Sequence, residues 1–173
     1  MMSTCLFSQV DKKSFIKKTQ DPIHIDGVLD EPIWKQCEKI TDFWQNFPYD
    51  TCLAKTKTDV YMTYNEKSIF IAAICHDSLP GNYVIQSLKR DFSYPVSDAF
   101  VVTIDPFSDK QNGFSFGVNP YGVQREGLIS NGGGQGVTTN WDNKWHTEVK
   151  RNVGNWTVEM EIHFKSIRYK PNL

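Results

Sequence analysis

From Trp156 onward apolar and polar residues take turns: Trp156, Val158, Met160, Ile162 and Phe164 alternate with Thr157, Glu159, Glu161 and His163. A period of two belongs to an extended strand whose successive side chains point to opposite faces, so one face is expected in the core and the other in water. Phe100, Val102 and Ile104 repeat the pattern, as do Phe114, Phe116 and Val118. The run from Ser68 to Cys75 is apolar on both faces and predicts a central strand. Further strands are expected from Thr58 to Tyr64, Val123 to Ser130 and His146 to Arg151, bounded by turn signals at Asn65-Glu66, Tyr121-Gly122 and Asn131-Gly132. One short helix is predicted from Glu31 to Glu38, with Asp30 as N-cap and Pro32 in the first turn, where its missing N–H is harmless. Alternating βαβ units are absent, so the pattern predicts an all-β sandwich or barrel.

Composition narrows the partners. The 173 residues, 39% hydrophobic and 13% aromatic, suffice for one domain with a real core. Nineteen basic and twenty acidic side chains nearly cancel, and no basic run exceeds a pair such as Lys17-Lys18, which argues against nucleic acid and anionic membrane. No stretch approaches the roughly 20 apolar residues of a spanning helix, so no direct membrane insertion by this segment is expected. Residues Met1 to Ser8 look like the end of an apolar secretion signal, which predicts export to the periplasm, the outer membrane or the exterior. Residues 1–19 are accordingly read as a flexible tail and 20–173 as one domain. The chain stops at Lys170-Pro171-Asn172-Leu173 directly after a strong strand, so a C-terminal truncation is expected. Cys5, Cys37, Cys52 and Cys75 lack CxxC spacing; Cys75 is expected in the core, and Cys37 and Cys52 are a candidate disulfide in an oxidising compartment.

Catalytic constellations are weak. Gly113-Phe-Ser115-Phe-Gly117 matches the nucleophile-elbow pattern, but the alternating Phe114, Phe116 and Val118 make it a strand, with Pro120 and Gly122 where a helix should start. His24, His76, His146 and His163 show no zinc spacing and are read as surface or turn residues. Asp105, Asp109 and Asn112 surround a turn and are the candidate calcium ligands, against the alternative of a solvated hairpin. Asp91, Asp98, Asp105 and Glu126 are available carboxylates, but a glycosidase needs a defined separation between two of them, and no catalytic residue is assigned. Asn155-Trp156-Thr157 is a glycosylation sequon placed inside a strand.

Aromatic rings in polar surroundings carry more. A sugar lays its C–H face on a flat ring while fixed donors and acceptors hold its hydroxyls. Trp44 in FWQNFPYD, Tyr94 in RDFSYPVSD, and Trp141 with Trp145 in TTNWDNKW after a glycine-rich stretch are the candidate platforms; packing on the core is the alternative for each.

The segment Ile25-Asp-Gly-Val-Leu-Asp-Glu-Pro-Ile-Trp34 resembles the opening of family 9 carbohydrate-binding modules. Val60-Tyr61 with Tyr64, Ile69-Phe70-Ile71, Ser97-Asp98-Ala99-Phe100 with Ile104-Asp105, and Trp156 with Glu159, Ile162 and Phe164 continue the match in order. More narrowly, KRDFSYPVSDAF, NGFSFGVNPYGVQREG and TTNWDNKW look like a bacterial subgroup in which the module precedes a large region associated with the outer membrane. The resemblance implies a jelly-roll-like antiparallel β-sandwich, often with bound calcium, that clamps a glycan end between two tryptophans. Carried onto this chain, Asn119 keeps a hydrogen-bonding asparagine, whereas Val101 and Gly117 replace a glutamate and an arginine, and Pro95 beside Tyr94 replaces the first tryptophan. The second platform belongs to a C-terminal stretch beyond Leu173. The resulting expectation is a noncatalytic module binding an oligo- or polysaccharide through Tyr94, Trp141, Trp145 and Trp44, with Asp98, Asn119, Arg125 and Glu126 as polar contacts. The alternative is an interaction domain that packs on the downstream region or a partner and has lost sugar binding.

Overall fold

A computed structural model describes residues 13–77, 82–133 and 136–168. Two sheets face each other. One has five strands in the order β1 (Lys17–Lys18), β2 (Thr58–Tyr64), β3 (Ser68–His76), β9 (Asn155–His163), β8 (His146–Asn152). The other runs β4 (Phe100–Ile104), β5 (Gly113–Val118), β6 (Gln124–Ile129), β7 (Val137–Thr138). Every pairing is antiparallel except that of β1 with β2. The β-sandwich expected from the alternation is therefore the fold, and β3 takes the central position that its two apolar faces predicted.

Alternation decides the interior. Trp156, Val158, Met160 and Ile162 of β9 meet Phe114, Phe116 and Val118 of β5 in the space between the sheets, joined there by Ile71 and Ala73 of β3. Each such large apolar side chain contributes about 1.5–3 kcal/mol on burial.

The other face of the five-stranded sheet departs from expectation, because it is dry at its centre. Residues 23–37 cross it and form a second core from Ile33, Trp34, Phe70 and Ala72. Glu159, on the supposedly wet side of β9, is fully buried there. Its carboxylate accepts the backbone N–H of Asp26 (3.1 Å) and Gly27 (3.0 Å) and the Trp34 Nε1–H (2.9 Å). Burial outweighs these donors and raises its pKa to about 7. Gly27 has φ of 80°, and a Cβ there would lie 2.9 Å from the Val149 carbonyl carbon, so the Asp-Gly of the opening motif is required by backbone geometry and by close approach.

The helix α1 spans only Pro32–Gln36, and Glu31, not Asp30, is its N-cap residue. Glu31 does not cap with its side chain; its carboxylate reaches the His24 N–H (2.9 Å) and Trp34 Nε1–H (3.0 Å) instead. Cys37 is already extended, which ends the helix early. At the N-terminus the ordered sandwich begins before Gln20: Lys17 and Lys18 pair with β2, and Thr19 is buried. Residues 1–12, including Cys5 and the signal-like segment, lie outside the described residues, as do the last five. Cys37, Cys52 and Cys75 are free thiols, so the candidate disulfide is not formed; Cys75 is buried as expected, and burial pushes its thiol up to about 12.

Candidate ligand-binding site

The platform candidates separate on the three-dimensional structure. Trp145 is only 4% exposed; its ring packs edge-on to Phe116 at 5.5 Å and its Nε1–H donates to Glu126 (3.1 Å). Trp141 is half-buried against Phe114 (5.0 Å) and Phe116 (6.0 Å). Trp145 is thus a core residue rather than a platform, because a ring inside a sandwich has no face left for a sugar, and Trp141 leans on the same core. Glu126 is likewise buried, on the inward side of β6, where Arg90, the Asn143 N–H and Trp145 satisfy it. A buried, paired carboxylate of this kind ties a loop to the core and does not face a ligand. Asn119 is also fully buried; its Oδ1 accepts the N–H of Tyr121 (2.9 Å) and Val123 (3.1 Å), closing the turn after β5.

Tyr94 and Arg125 do come together, on the outer face of the four-stranded sheet. The Arg125 guanidinium carbon sits 4.2 Å from the Tyr94 ring centroid, and Arg125 also donates to the Phe92 carbonyl. The register explains the meeting. Arg125 stands directly across from Gly117, where a Cβ would lie 2.8 Å from a Tyr94 ring carbon. Tyr94 therefore fills the space that a side chain at position 117 would occupy, and one of its ring faces is taken by Arg125. Phe92 packs edge-on to it at 5.6 Å. This is where the family resemblance puts a glutamate, an arginine and a tryptophan, and here it is closed by the chain's own groups.

Trp44 lies on a loop with its neighbours turned outward: it is 39% exposed, Tyr49 70% and Phe47 85%. The loop is closed by Gln45 N–H to the Cys52 carbonyl (3.0 Å) and Ala54 N–H to the Phe43 carbonyl (2.7 Å).

Asp98 borders a concave site. A cleft of about 350 Å³ opens between the ends of β3 and β9 on one side and the start of β4 on the other. Tyr83 and Phe100 supply ring surface above the buried Trp156, while His76, Asp77, Asn82 and Asp98 supply polar groups. Asp98 is fixed by two hydrogen bonds with Val84, one from the Val84 N–H to its carboxylate (2.8 Å) and one from its own N–H to the Val84 carbonyl (2.7 Å). Tyr83 donates its hydroxyl to Asp77 (2.6 Å), and burial, reinforced by that carboxylate, raises the phenol to about 12. Its ring also meets Tyr121 edge-on at 6.5 Å. Such a cleft has the size class of small-molecule sites, roughly 300–1,000 Å³, and the mix of ring walls and positioned polar groups that fixes a ligand's orientation. Tyr83, Asp77 and Asn82 were missed in the sequence because they follow β3 outside any strand and carry no periodic signal.

The candidate calcium group is a capped hairpin. Asp105 accepts the N–H of Phe107 (3.1 Å), Asp109 (3.4 Å) and Lys110 (2.8 Å); Asp109 accepts the N–H of Gln111 (2.7 Å) and Asn112 (2.8 Å) and the Asn112 amide (2.9 Å). All four carboxylate oxygens serve the turn between β4 and β5, an arrangement that does not fit a cage of roughly six to eight oxygens around calcium. Two histidines read as unrelated surface residues are instead brought beside one carboxylate: His146, Glu161 and His163 converge on the outer face of the five-stranded sheet. The signal was available, since Glu161 and His163 share a strand face and His146 is the cross-strand partner of Glu161.

No protein-family model matches the sequence, and no curated protein is similar to it at the level of sequence. Solved structures are similar in fold. A family 9 carbohydrate-binding module from Caldicellulosiruptor kristjanssonii, in complex with glucose, superposes with a TM-score of 0.60 at 15% identity over 91% of this chain and 71% of that one. A module of the same family and organism in complex with cellotriose gives 0.59 at 15% identity, covering 86% and 66%. A Bacteroides uniformis protein inferred to bind carbohydrate gives 0.56 at 12% identity, covering 87% and 72%. At these identities the likeness is one of architecture.

Proposed function

We propose that this chain is a noncatalytic carbohydrate-binding module whose sugar sits in the cleft between Tyr83 and Asp98. The observation that carries the reading is the cleft itself, in which ring surface and hydrogen-bonding groups face one volume large enough for a short saccharide. Two structures of the same architecture hold glucose and cellotriose, which supports this ligand class. The position where the sequence resemblance would put a sugar platform is filled here by Tyr94 and Arg125, which favours the cleft at Asp98 for the ligand. Calorimetric titration with glucose, cello-oligosaccharides and a wider glycan panel tests the proposal. Saturable heat that Asp98→Ala removes supports it; absence of heat at millimolar sugar sinks it. Chromogenic glycosides are expected to remain intact.

The larger context belongs to the same proposal: an exported chain, periplasmic, outer-membrane-associated or extracellular, forming the N-terminal part of a bigger protein. A second reading, an interaction domain packed on the downstream region or a partner, is favoured by one observation. Phe43, Trp44, Phe47, Tyr49 and Leu53 place a run of exposed apolar surface on one loop. Under that reading these five residues, and not Trp141 and Trp145, become protected when the chain is co-expressed with the region that follows it.

A further inference from the structure

Away from the cleft, the outer face of the five-stranded sheet gathers three metal-ligating side chains near its edge. His146 opens the edge strand β8, and Glu161 and His163 stand two residues apart on β9. The ladder places His146 directly opposite Glu161, and Ser68 of β3 directly opposite His163. Side chains of matching parity on adjacent strands share one face, so the backbone register alone brings these groups into reach.

The distances fit an ion. His146 Nδ1 lies 3.3 Å from Glu161 Oε2, and His163 Nδ1 lies 3.6 Å from Glu161 Oε1. Taking one ligand atom from each residue, all three lie within 4.8 Å of one another. A tetrahedral zinc with bonds of about 2.1 Å to nitrogen and oxygen holds neighbouring ligand atoms about 3.4 Å apart. Rotation of His146, whose side chain is 67% exposed, closes the remaining gap between the two imidazoles.

A supporting group is also in place. Ser68 is fully buried, and its hydroxyl lies 2.8 Å from Glu161 Oε1 and 2.8 Å from His163 Nδ1. Fixing a carboxylate from behind is the task of the residues around metal ligands, and Ser68 does this for Glu161; its contact with His163 Nδ1 would be exchanged for the ion, because that nitrogen cannot serve both. Glu161 and His146 also line a cleft of about 460 Å³ beside Trp145 and Ile25, so an ion and its water have an open approach.

We infer that His146, Glu161 and His163 form a binding site for a late first-row divalent cation such as zinc, with solvent completing the coordination. Two imidazoles and one carboxylate suit zinc, nickel or copper(II) better than calcium or magnesium, which prefer oxygen throughout. The ion would join the edge strand β8 to β9 and, through Ser68, to β3.

Zinc chloride titrated into the metal-stripped full chain tests the inference, by calorimetry and by thermal unfolding. One ion per chain is expected, with a rise in Tm that chelator reverses. His146→Ala and His163→Ala are each expected to weaken binding by at least about tenfold and to lose the Tm rise. Glu66→Gln, which removes the carboxylate paired with Lys18 of the opposite edge strand β1, leaves the isotherm unchanged. Cobalt in place of zinc is expected to give the visible absorption of a tetrahedral site. If Glu161→Gln or His163→Ala does not fold, the exposed His146 variant decides. An isotherm identical in the intact chain and in His146→Ala, or no heat with zinc in the intact chain, overturns the site. Because these residues lie outside the Tyr83–Asp98 cleft, the outcome is independent of sugar binding.

Discussion

Two regions only four positions apart in the chain have opposite fates. At Tyr94 the chain folds a ring onto a glycine and covers it with Arg125, closing the outer face of the four-stranded sheet. At Asp98 the next turn leaves a carboxylate at the rim of a cleft walled by Tyr83 and Phe100. In the sequence both are aromatic and acidic residues within one polar segment. What separates them is whether the chain's own groups have already covered the ring face, since Asp98 and Tyr83 also make hydrogen bonds within the chain. A ring satisfied by its own protein contributes stability; a ring facing an empty volume can contribute binding.

The largest test of that division falls on the tryptophan loop. Trp145→Ala is expected to cost about 3–5 kcal/mol, as buried Trp→Ala changes do, because it empties the contact with Phe116 and takes the donor from Glu126 Oε2. Urea denaturation measures it. A variant of wild-type stability that had lost only sugar affinity would return Trp145 to the role of platform.

A pH titration probes the other closed face. Glu159 has a folded pKa of about 7 against 4.5 for the free group, chiefly through burial. Below pH 4.5 both states carry the proton and this group's contribution to stability is fully present. Between 4.5 and 7 the unfolded chain loses its proton first, so stability falls by up to about 3 kcal/mol as pH rises and then levels off. Denaturation at stepped pH shows the slope, and Glu159→Gln should flatten it within that window.

Smaller effects separate the two regions directly. Asp98→Ala is expected to lower sugar affinity about 10- to 100-fold, the value of a hydrogen bond to a charged group, with little change in unfolding. Tyr94→Ala should do the reverse, costing about 1–2 kcal/mol of stability while leaving affinity within error. Tyr83 gives a spectroscopic marker for the open region. Its phenol ionises near 12, and the stability it lends is present below pH 10 and lost as pH rises from 10 to 12.

Much of the fold was legible because strand periodicity and burial are the same fact seen twice. The alternation from Trp156 to Phe164 marked β9, and the two-sided apolar run marked β3 as central. The wet face assigned to Glu159 was wrong because alternation reports one face of a strand and says nothing of a distant segment crossing the other. The opening motif held that information in another form, since its Asp26-Gly27 and Trp34 all terminate on Glu159. The site was less legible. Glu126 and Trp145 satisfy each other inside the core, a match between residues 19 positions apart that composition cannot show. The cleft and the His146–Glu161–His163 group arise from cross-strand register, which local sequence fixes only after the pairing of strands is known.

The central claim is that the open cleft, and not the closed Tyr94 face, holds a saccharide. Isothermal titration of cellotriose into the intact chain, Asp98→Ala and Tyr94→Ala tests it most directly. The account predicts saturable binding in the intact chain and in Tyr94→Ala, and its loss in Asp98→Ala. Binding abolished by Tyr94→Ala but retained by Asp98→Ala would contradict it.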